Sequence, residues 1–163
     1  MILIALGANL PSRVGPPAAT IVAALRALQD EGVAIVARSR LYRSPPVPAS
    51  DQPWYVNAVA AVKTDRAPRD LLLLLHRIEA AYGRERRQRN GARTLDLDLL
   101  AYDDVISSGD DGTPALPHPR LQERAFVLLP LAEVAPHWRH PALGTTLNEM
   151  IATLPSDQTA EVI

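Results

Sequence analysis

The sequence predicts an α+β fold, with helices packed against a mainly antiparallel sheet, and three observations support this prediction. Predicted strands and helices follow the order β-α-β-β-α-β, which is the order of a ferredoxin-like core. The strands have short or alternating apolar runs, and the helices have apolar residues at helical spacing. Glycine and proline separate these segments. We therefore expect an antiparallel sheet with helices on one face.

The first half of the chain supplies three of these elements and a stiff loop. The apolar run Met1–Leu6 predicts a short buried strand. Pro16-Pro17 opens a helix, because proline is tolerated in a first turn, and this helix stops near residue 32. Val33–Tyr42 and Tyr55–Lys63 predict two strands that pair with each other. The proline-rich run Ser44–Pro48 between them predicts an extended loop.

The second half begins with a helix that starts at Pro68 and ends at Gly83. An arginine-rich polar loop follows it, and Thr94–Tyr102 predicts the next long strand. Ala125–Val134 predicts a helix that contains a proline, and Thr146–Glu149 matches a capping box before a last short helix. We see no repeat or linker, and we expect one domain over residues 1–163.

Composition limits the class of protein. With 163 residues, 47% hydrophobic and 21% charged, the chain resembles an ordinary globular domain. Its formal net charge of -1 is not that of a general polyanion binder, and the absence of cysteine excludes disulfides and thiolate metal sites. No apolar run approaches the roughly 20 residues of a membrane span, and Met1–Leu6 lacks the basic flank of a signal peptide. We expect a cytoplasmic monomer that binds neither membranes nor nucleic acid.

Two aspartates in the predicted strand Thr94–Tyr102 are the strongest chemical signal. Asp96 and Asp98 are two residues apart, so they project from the same face of a strand, with Cβ atoms roughly 6.5–7 Å apart. Alternating leucines occupy the other face. Two carboxylates at this spacing suit magnesium, which binds one or two protein carboxylates together with substrate phosphates. An exposed strand face that happens to carry two acids is the alternative, because a bare Asp-x-Asp is a weak motif.

Five arginines lie just before this pair, at positions 84, 86, 87, 89 and 93. Arginine presents a rigid fork of donors that matches phosphate oxygens. The same bias can reflect a GC-rich genome, and the sequence favours neither explanation. The combination of cations, carboxylates and an apolar back face nevertheless favours a phosphate-transfer site.

Two blocks are specific in their order and separation: Arg-x-x-Asp-x-Asp at residues 93–98 and Pro-His-Pro-Arg at residues 117–120. Further stretches accompany them at residues 5–10, 42–46, 52–58, 77–79, 83–84 and 121–126. From Leu3 to about Pro136, the chain thereby resembles the 6-hydroxymethyl-7,8-dihydropterin pyrophosphokinases. This family transfers a pyrophosphoryl group from ATP to the pterin hydroxymethyl group in folate biosynthesis, and releases AMP. Its fold is an α/β sandwich with a ferredoxin-like core.

The resemblance implies a role for each matching residue on the nucleotide side. Asp96 and Asp98 would hold two Mg²⁺ ions that bridge the ATP phosphates and the pterin hydroxyl. Arg84 and Arg93 would contact the phosphates and complete the catalytic set. The remaining ATP-binding residues would be His76, Glu79, Arg86, Leu99, His118 and Arg124.

On the pterin side, the resemblance implies that Tyr55 and Phe126 sandwich the ring and that Asn57 hydrogen-bonds its edge. The loop residues Ser44, Pro45, Pro46 and Val47 would complete the pocket. Offset stacking on a flat heteroaromatic ring contributes about 1 kcal/mol beyond area burial, and an asparagine amide offers both donors and an acceptor.

Some of these residues have a simpler structural interpretation from the sequence. Phe126 fits a core position, His118 a surface loop between two prolines, and Glu79 a helix-surface charge paired with arginine. The chain also departs from the family pattern, with Asn90 where tryptophan is common and Ala92 where proline is common. His76 stands where glutamine is frequent.

Two other functions share this fold. A small-molecule sensor would need neither a magnesium pair nor an arginine loop. An RNA-binding sheet usually exposes several aromatic residues, whereas this chain has 4% aromatic residues and a nearly neutral charge. Binding of ATP with and without Mg²⁺ would separate the sensor from the enzyme.

Overall fold

The computed structural model describes residues 1–83 and 92–163, and in this part of the chain six strands form one antiparallel sheet. The strands are β1 (Ile2–Ala8), β2 (Ala34–Arg38), β3 (Tyr42–Ser44), β4 (Tyr55–Lys63), β5 (Asp96–Tyr102) and β6 (Glu161–Val162). The helices are α1 (Pro17–Asp30), α2 (Pro68–Ala81), α3 (Ala125–Val134) and α4 (Leu147–Ala152), with a short 3₁₀ helix at Leu121–Glu123.

The strand order is β5-β1-β4-β3-β6, and β2 pairs with the far end of β4. The registers place Gly7 of β1 between two neighbours, Asp96 on β5 and Asn57 on β4. This row of three residues crosses the sheet near the end of β1, and it positions the site described below.

Helices cover both faces of the sheet. On one face, α1 and α2 pack on apolar residues that include Ile4, Leu6 and Leu97. On the other face, α3 and α4 enclose a second core that includes Leu3 and Val59. The expectation of helices on one face is therefore wrong for the whole chain, although the α+β sandwich itself is confirmed. Consecutive residues of β1 point to opposite faces of the sheet, and most of them are buried. Helices must therefore pack on both faces.

The strand predicted at Val33–Tyr42 is two strands, β2 and β3. The backbone N–H of Val59 donates to the Ser39 hydroxyl oxygen at 3.0 Å, and that hydroxyl donates to the Arg40 carbonyl at 2.7 Å. The Ser39 side chain thus replaces a main-chain acceptor in the hydrogen-bond ladder with β4, and the strand is interrupted at this residue. The strand predicted to begin at Thr94 begins at Asp96, and β6 was not predicted.

Several local predictions are confirmed. The helix α3 spans Ala125–Val134 and has Pro130 inside it. Thr146 caps the start of α4, since its hydroxyl oxygen accepts from the Glu149 backbone N–H at 3.2 Å. The Glu149 carboxylate accepts from the Thr146 hydroxyl at 3.0 Å, so the described contacts form half of the predicted capping box. Among residues 1–83 and 92–163, none of the helices is both long and apolar enough to span a membrane.

Candidate active site

A cleft opens on the α3 face of the sheet, around the end of β1. The cleft combines acids, arginines, an amide and aromatic rings. Its walls are formed by Ala5, Leu6, Gly7, Ser44, Pro45, Pro46, Val47, Tyr55, Asn57, Arg93, Asp96, Asp98, Arg124 and Phe126.

Gly7 lies on the floor of this cleft, between Asp96 and Asn57. A Cβ atom at position 7 would lie 3.3 Å from Oδ1 of Asn57, closer than an ordinary van der Waals contact. The absence of a side chain at Gly7 therefore leaves the cleft open between its acidic half, at Asp96, and its amide half, at Asn57.

The two aspartates project into the cleft from β5, as the spacing predicts, and each lies near an arginine. Nη1 of Arg93 lies 2.8 Å from Oδ2 of Asp96. Nη1 of Arg124 lies 3.9 Å from Oδ2 of Asp98, which is an ion pair without a short hydrogen bond. The four side chains form an alternating charge cluster, in which phosphate oxygens can bind the arginines and a cation can bind the carboxylates.

The donor set fits magnesium. Carboxylate oxygens are hard ligands that Mg²⁺ prefers, with substrate phosphates and water completing its shell. Within the described residues, no cluster of three or more His, Cys, Asp or Glu side chains could hold a metal by itself. A magnesium site here would therefore rest on Asp96, Asp98 and oxygens of the bound nucleotide.

Arg124 connects the charged half of the cleft with the aromatic half. Its guanidinium carbon lies 5.4 Å from the centroid of the Phe126 ring, at cation–π distance. Burial lowers the pKa of Arg124 from its ordinary value, and the charge of Asp98 opposes this shift. A partly desolvated arginine attracts phosphate more strongly than a fully hydrated one does.

His118 lies beside this cluster in the segment that precedes α3. Burial, followed by the positive charge of Arg124, lowers its pKa to about 4. The ring is therefore neutral at pH 7. Its Nδ1 accepts from the backbone N–H of Arg120 at 3.2 Å, so the ring proton lies on Nε2, which becomes a neutral donor.

The amide half of the cleft is organised around Asn57. Its Nδ2 donates to the Ser44 hydroxyl oxygen at 2.8 Å in a buried contact, which fixes the plane of the amide. Tyr55 precedes it by two residues on the same face of β4, while Phe126 reaches the cleft from α3. Two aromatic rings and a fixed amide therefore line the same cleft.

Not all residues predicted for the site line the cleft. Glu79 is buried in α2, with 1% exposure, and accepts from the Leu97 backbone N–H at 2.9 Å, so it is not the surface charge considered from the sequence. Leu99 is 3% exposed and packs in the α1–α2 core. His76 is half-buried on α2. Arg84 and Arg86 lie outside the described residues.

Sequence reasoning gave no role to the β1 residues of the cleft, Ala5, Leu6 and Gly7, or to the adjacent Asn9. Their signal was present in the stretch at residues 5–10, which carries the resemblance. Small side chains at a strand end have no evident chemistry, so only the sheet register shows that they lie between the two halves of the cleft.

A family model described as 7,8-dihydro-6-hydroxymethylpterin-pyrophosphokinase matches residues 3–136. The chain is 43% identical over 147 residues to a 2-amino-4-hydroxy-6-hydroxymethyldihydropteridine pyrophosphokinase of Methylorubrum extorquens, covering 90% of both proteins. It is 44% identical over 155 residues to the enzyme of the same name in Pseudomonas aeruginosa, covering 94% of this chain and 91% of that enzyme.

The fold also matches solved structures. A Plasmodium falciparum HPPK-DHPS triple mutant superposes with a TM-score of 0.71 at 14% identity, over 93% of this chain. This likeness shows the fold alone, and the chain spans only 43% of that solved chain. The similarity expected from the two sequence blocks is thus confirmed by the family model and by relatives of nearly equal length. The chain belongs to the 7,8-dihydro-6-hydroxymethylpterin-pyrophosphokinase family.

Proposed function

We propose that the chain transfers the pyrophosphoryl group of ATP to the hydroxymethyl oxygen of 6-hydroxymethyl-7,8-dihydropterin, giving the pterin diphosphate and AMP. Its family and relatives make it an ATP-dependent pyrophosphokinase of folate biosynthesis. The roles of single residues in this reaction are our proposal, and they rest on the geometry of the cleft.

The observation that carries the proposal is the row Asp96–Gly7–Asn57 across one cleft. Its outer members are two strand spacings apart, about 10 Å. A nucleotide phosphate chain over the acidic end and a pterin ring over the amide end would meet above Gly7. The open floor at that glycine leaves room for the hydroxymethyl group and the phosphorus that it attacks.

On the pterin side, the ring would lie in the slot between Tyr55 and Phe126. Asn57, which is held by Ser44, would present its amide to the polar edge of the ring. The loop residues Pro45, Pro46 and Val47 would form the remaining wall and add further contacts to the ring.

On the phosphate side, Arg93 and Arg124 would bind the ATP phosphates. His118 would add a neutral Nε2–H donor. Arg84 and Arg86 would contribute from the segment before Arg93. His76, Glu79 and Leu99 do not line the cleft, and a nucleotide contact for them stays a prediction from the sequence. Arginines at this site suit phosphate because each fork can bind two oxygens.

Asp96 and Asp98 would hold Mg²⁺, and two ions would fit the clamp that is common in phosphoryl transfer. When bound, the metal would neutralise charge on the phosphates and on the leaving oxygen. The carboxylates are ligands in this scheme and do not act as a general base.

In the reaction, the hydroxymethyl oxygen attacks the β-phosphorus in line and loses its proton to solvent water. The bond between the β-phosphorus and the oxygen of the α-phosphate breaks, and AMP leaves with that electron pair. Arg93 and Arg124 stabilise the charge that moves onto the transferred group and the leaving oxygen. The aromatic slot contributes orientation, because it holds the nucleophile close to the phosphorus.

The direct test is incubation with ATP, Mg²⁺ and 6-hydroxymethyl-7,8-dihydropterin, followed by separation of the nucleotides. AMP and pterin diphosphate should form in equal amounts. If ADP is the only nucleotide product, the pyrophosphoryl assignment is wrong. Omission of the pterin should abolish AMP formation.

We also propose that the enzyme binds two Mg²⁺ ions, is a monomer and has a cytoplasmic location. The first is measurable by metal titration in the presence of an inert ATP analogue. The second is measurable by light scattering at micromolar concentration. A single domain over residues 1–163 stays a prediction as well.

A further inference from the structure

Asn9 is a buried amide that joins three segments around the cleft. It follows β1 directly and is 2% exposed. Its Oδ1 accepts from the backbone N–H of Arg93 at 2.8 Å. Its Nδ2 donates to Oε1 of Gln52 at 3.2 Å and to the carbonyl oxygen of Pro53 at 3.1 Å. Both ends of the amide are therefore in use.

The main chain strengthens the connection to Arg93. The backbone N–H groups of Asn9 and Leu10 both donate to the Arg93 carbonyl oxygen at 3.0 Å. The backbone N–H and the carbonyl oxygen of Arg93 are thus both hydrogen-bonded to the residues that directly follow β1. Its guanidinium group extends to Asp96, at 2.8 Å, so the position of this cation depends directly on Asn9 and Leu10.

The opposite side of the amide reaches the pterin half of the cleft. Gln52 and Pro53 stand just before β4, which begins at Tyr55, and Tyr55 lines the cleft. A hydrogen bond to the carbonyl of Pro53 fixes the direction in which the chain enters this strand. Asn9 therefore contacts the segment that carries Arg93 and the segment that leads to Tyr55.

We propose that Asn9 is a positioning residue that fixes the position of Arg93 relative to Tyr55. The ATP phosphates and the pterin hydroxymethyl group are thereby aligned for reaction. This inference rests on the residue roles proposed above. Asn9 lines neither half of the cleft itself, so it acts through the segments that it binds. A misplacement of about 1 Å at a reacting centre can cost 100-fold in rate.

Two substitutions of Asn9 distinguish its hydrogen bond with Arg93 from its hydrogen bonds with Gln52 and Pro53. Asn9→Ala removes all three side-chain hydrogen bonds, and we expect kcat to fall about 100-fold and the pterin KM to rise several-fold. Asn9→Asp keeps an acceptor for the Arg93 N–H, and in its ionised form it has no donor for Gln52 or Pro53. We expect it to retain most of kcat and to show the increased pterin KM.

Two further substitutions serve as controls, one at a distant asparagine and one at a partner of Asn9. Asn148→Ala changes an exposed asparagine on α4 and should leave both kinetic constants unchanged. Gln52→Ala removes the side-chain partner of Asn9 on the pterin side, and should raise the pterin KM while kcat stays within about twofold of the wild-type value. Thermal unfolding of each variant shows which of them are folded.

The inference is overturned if folded Asn9→Ala has kcat and pterin KM within twofold of wild type, or if the Ala and Asp variants change both constants equally. If neither variant folds, Gln52→Ala decides, and an unchanged pterin KM rejects the proposal. Wild-type protein that makes no AMP would instead reject the proposed function, so the two failures are distinguishable.

Discussion

The carboxylate of Glu79 accepts a hydrogen bond from the backbone N–H of Leu97 at 2.9 Å, between the two aspartates of the cleft. β5 is at the edge of the sheet, so among residues 1–83 and 92–163 no neighbouring strand offers an acceptor to this N–H. The buried Glu79 side chain of α2 supplies the acceptor instead. The contact fixes the part of β5 from which Asp96 and Asp98 project on the opposite face.

We predict from this contact that Glu79→Ala destabilises the fold. A buried N–H loses its acceptor and a cavity remains, so the free energy of unfolding should fall by about 2–4 kcal/mol. Glu79→Gln keeps an acceptor oxygen and should lose much less. Urea denaturation of both variants measures the difference. A large rise in ATP KM for Glu79→Gln at unchanged stability would instead support the direct ATP contact predicted from the sequence.

Asp96→Ala should reduce turnover at least 1,000-fold while the fold persists. Its carboxylate is 20% exposed and lies beside Arg93, so the free energy of unfolding should change by only about 1 kcal/mol. The magnesium dependence of nucleotide binding, measured by calorimetry, should disappear. Asp104→Ala, at an exposed site, is the control. Near-normal activity of Asp96→Ala at saturating Mg²⁺ would make the metal assignment wrong.

Arg93→Ala should lower kcat more than it raises the ATP KM. The guanidinium already has a partner in Asp96, and its contact with the transferred group gains strength as charge develops. We expect a loss of about 100- to 1,000-fold in kcat. Arg26→Ala, on the exposed side of α1, serves as the control in steady-state kinetics. A loss restricted to the ATP KM would contradict this role.

The two-residue period of a strand predicted that Asp96 and Asp98 share one face of β5, and both line the cleft. The other candidate site residues, Phe126 among them, were predicted from the family resemblance, because the residue pattern alone fitted Phe126 to the core. The break at Ser39 and the burial of Glu79 were not predictable, since each depends on a partner distant in the sequence. The same is true of Asn9, whose bonds reach across 43 to 84 positions.

The low pKa of His118 predicts how stability depends on pH. The folded-state pKa is about 4, below the unfolded value of about 6.5, so folding favours the neutral ring. This contribution is complete above pH 6.5 and is lost as the pH falls towards 4. With solvent screening, the loss should be about 2 kcal/mol.

The comparison that measures this effect is urea denaturation of wild type and His118→Asn between pH 4 and 7. Asparagine can still accept from the Arg120 N–H but does not titrate in this range, so the pH slope should decrease in the variant. His137→Asn, at an exposed site, is the matched control substitution. Equal slopes for wild type and His118→Asn would show that the ring does not titrate differently on folding.

Gly7→Ala should impair binding of the pterin with little effect on stability. The added methyl group would lie 3.3 Å from Oδ1 of Asn57. It would also fill part of the cleft between Asp96 and Asn57. Alanine lowers the entropy of the unfolded chain, which offsets part of the crowding, so the free energy of unfolding should change by less than about 1 kcal/mol. We expect pterin affinity to fall about tenfold, equivalent to about 1.4 kcal/mol. Nucleotide affinity, measured with α,β-methylene-ATP, should stay within twofold, and a loss of nucleotide binding alone would mean that the pterin does not lie over Gly7.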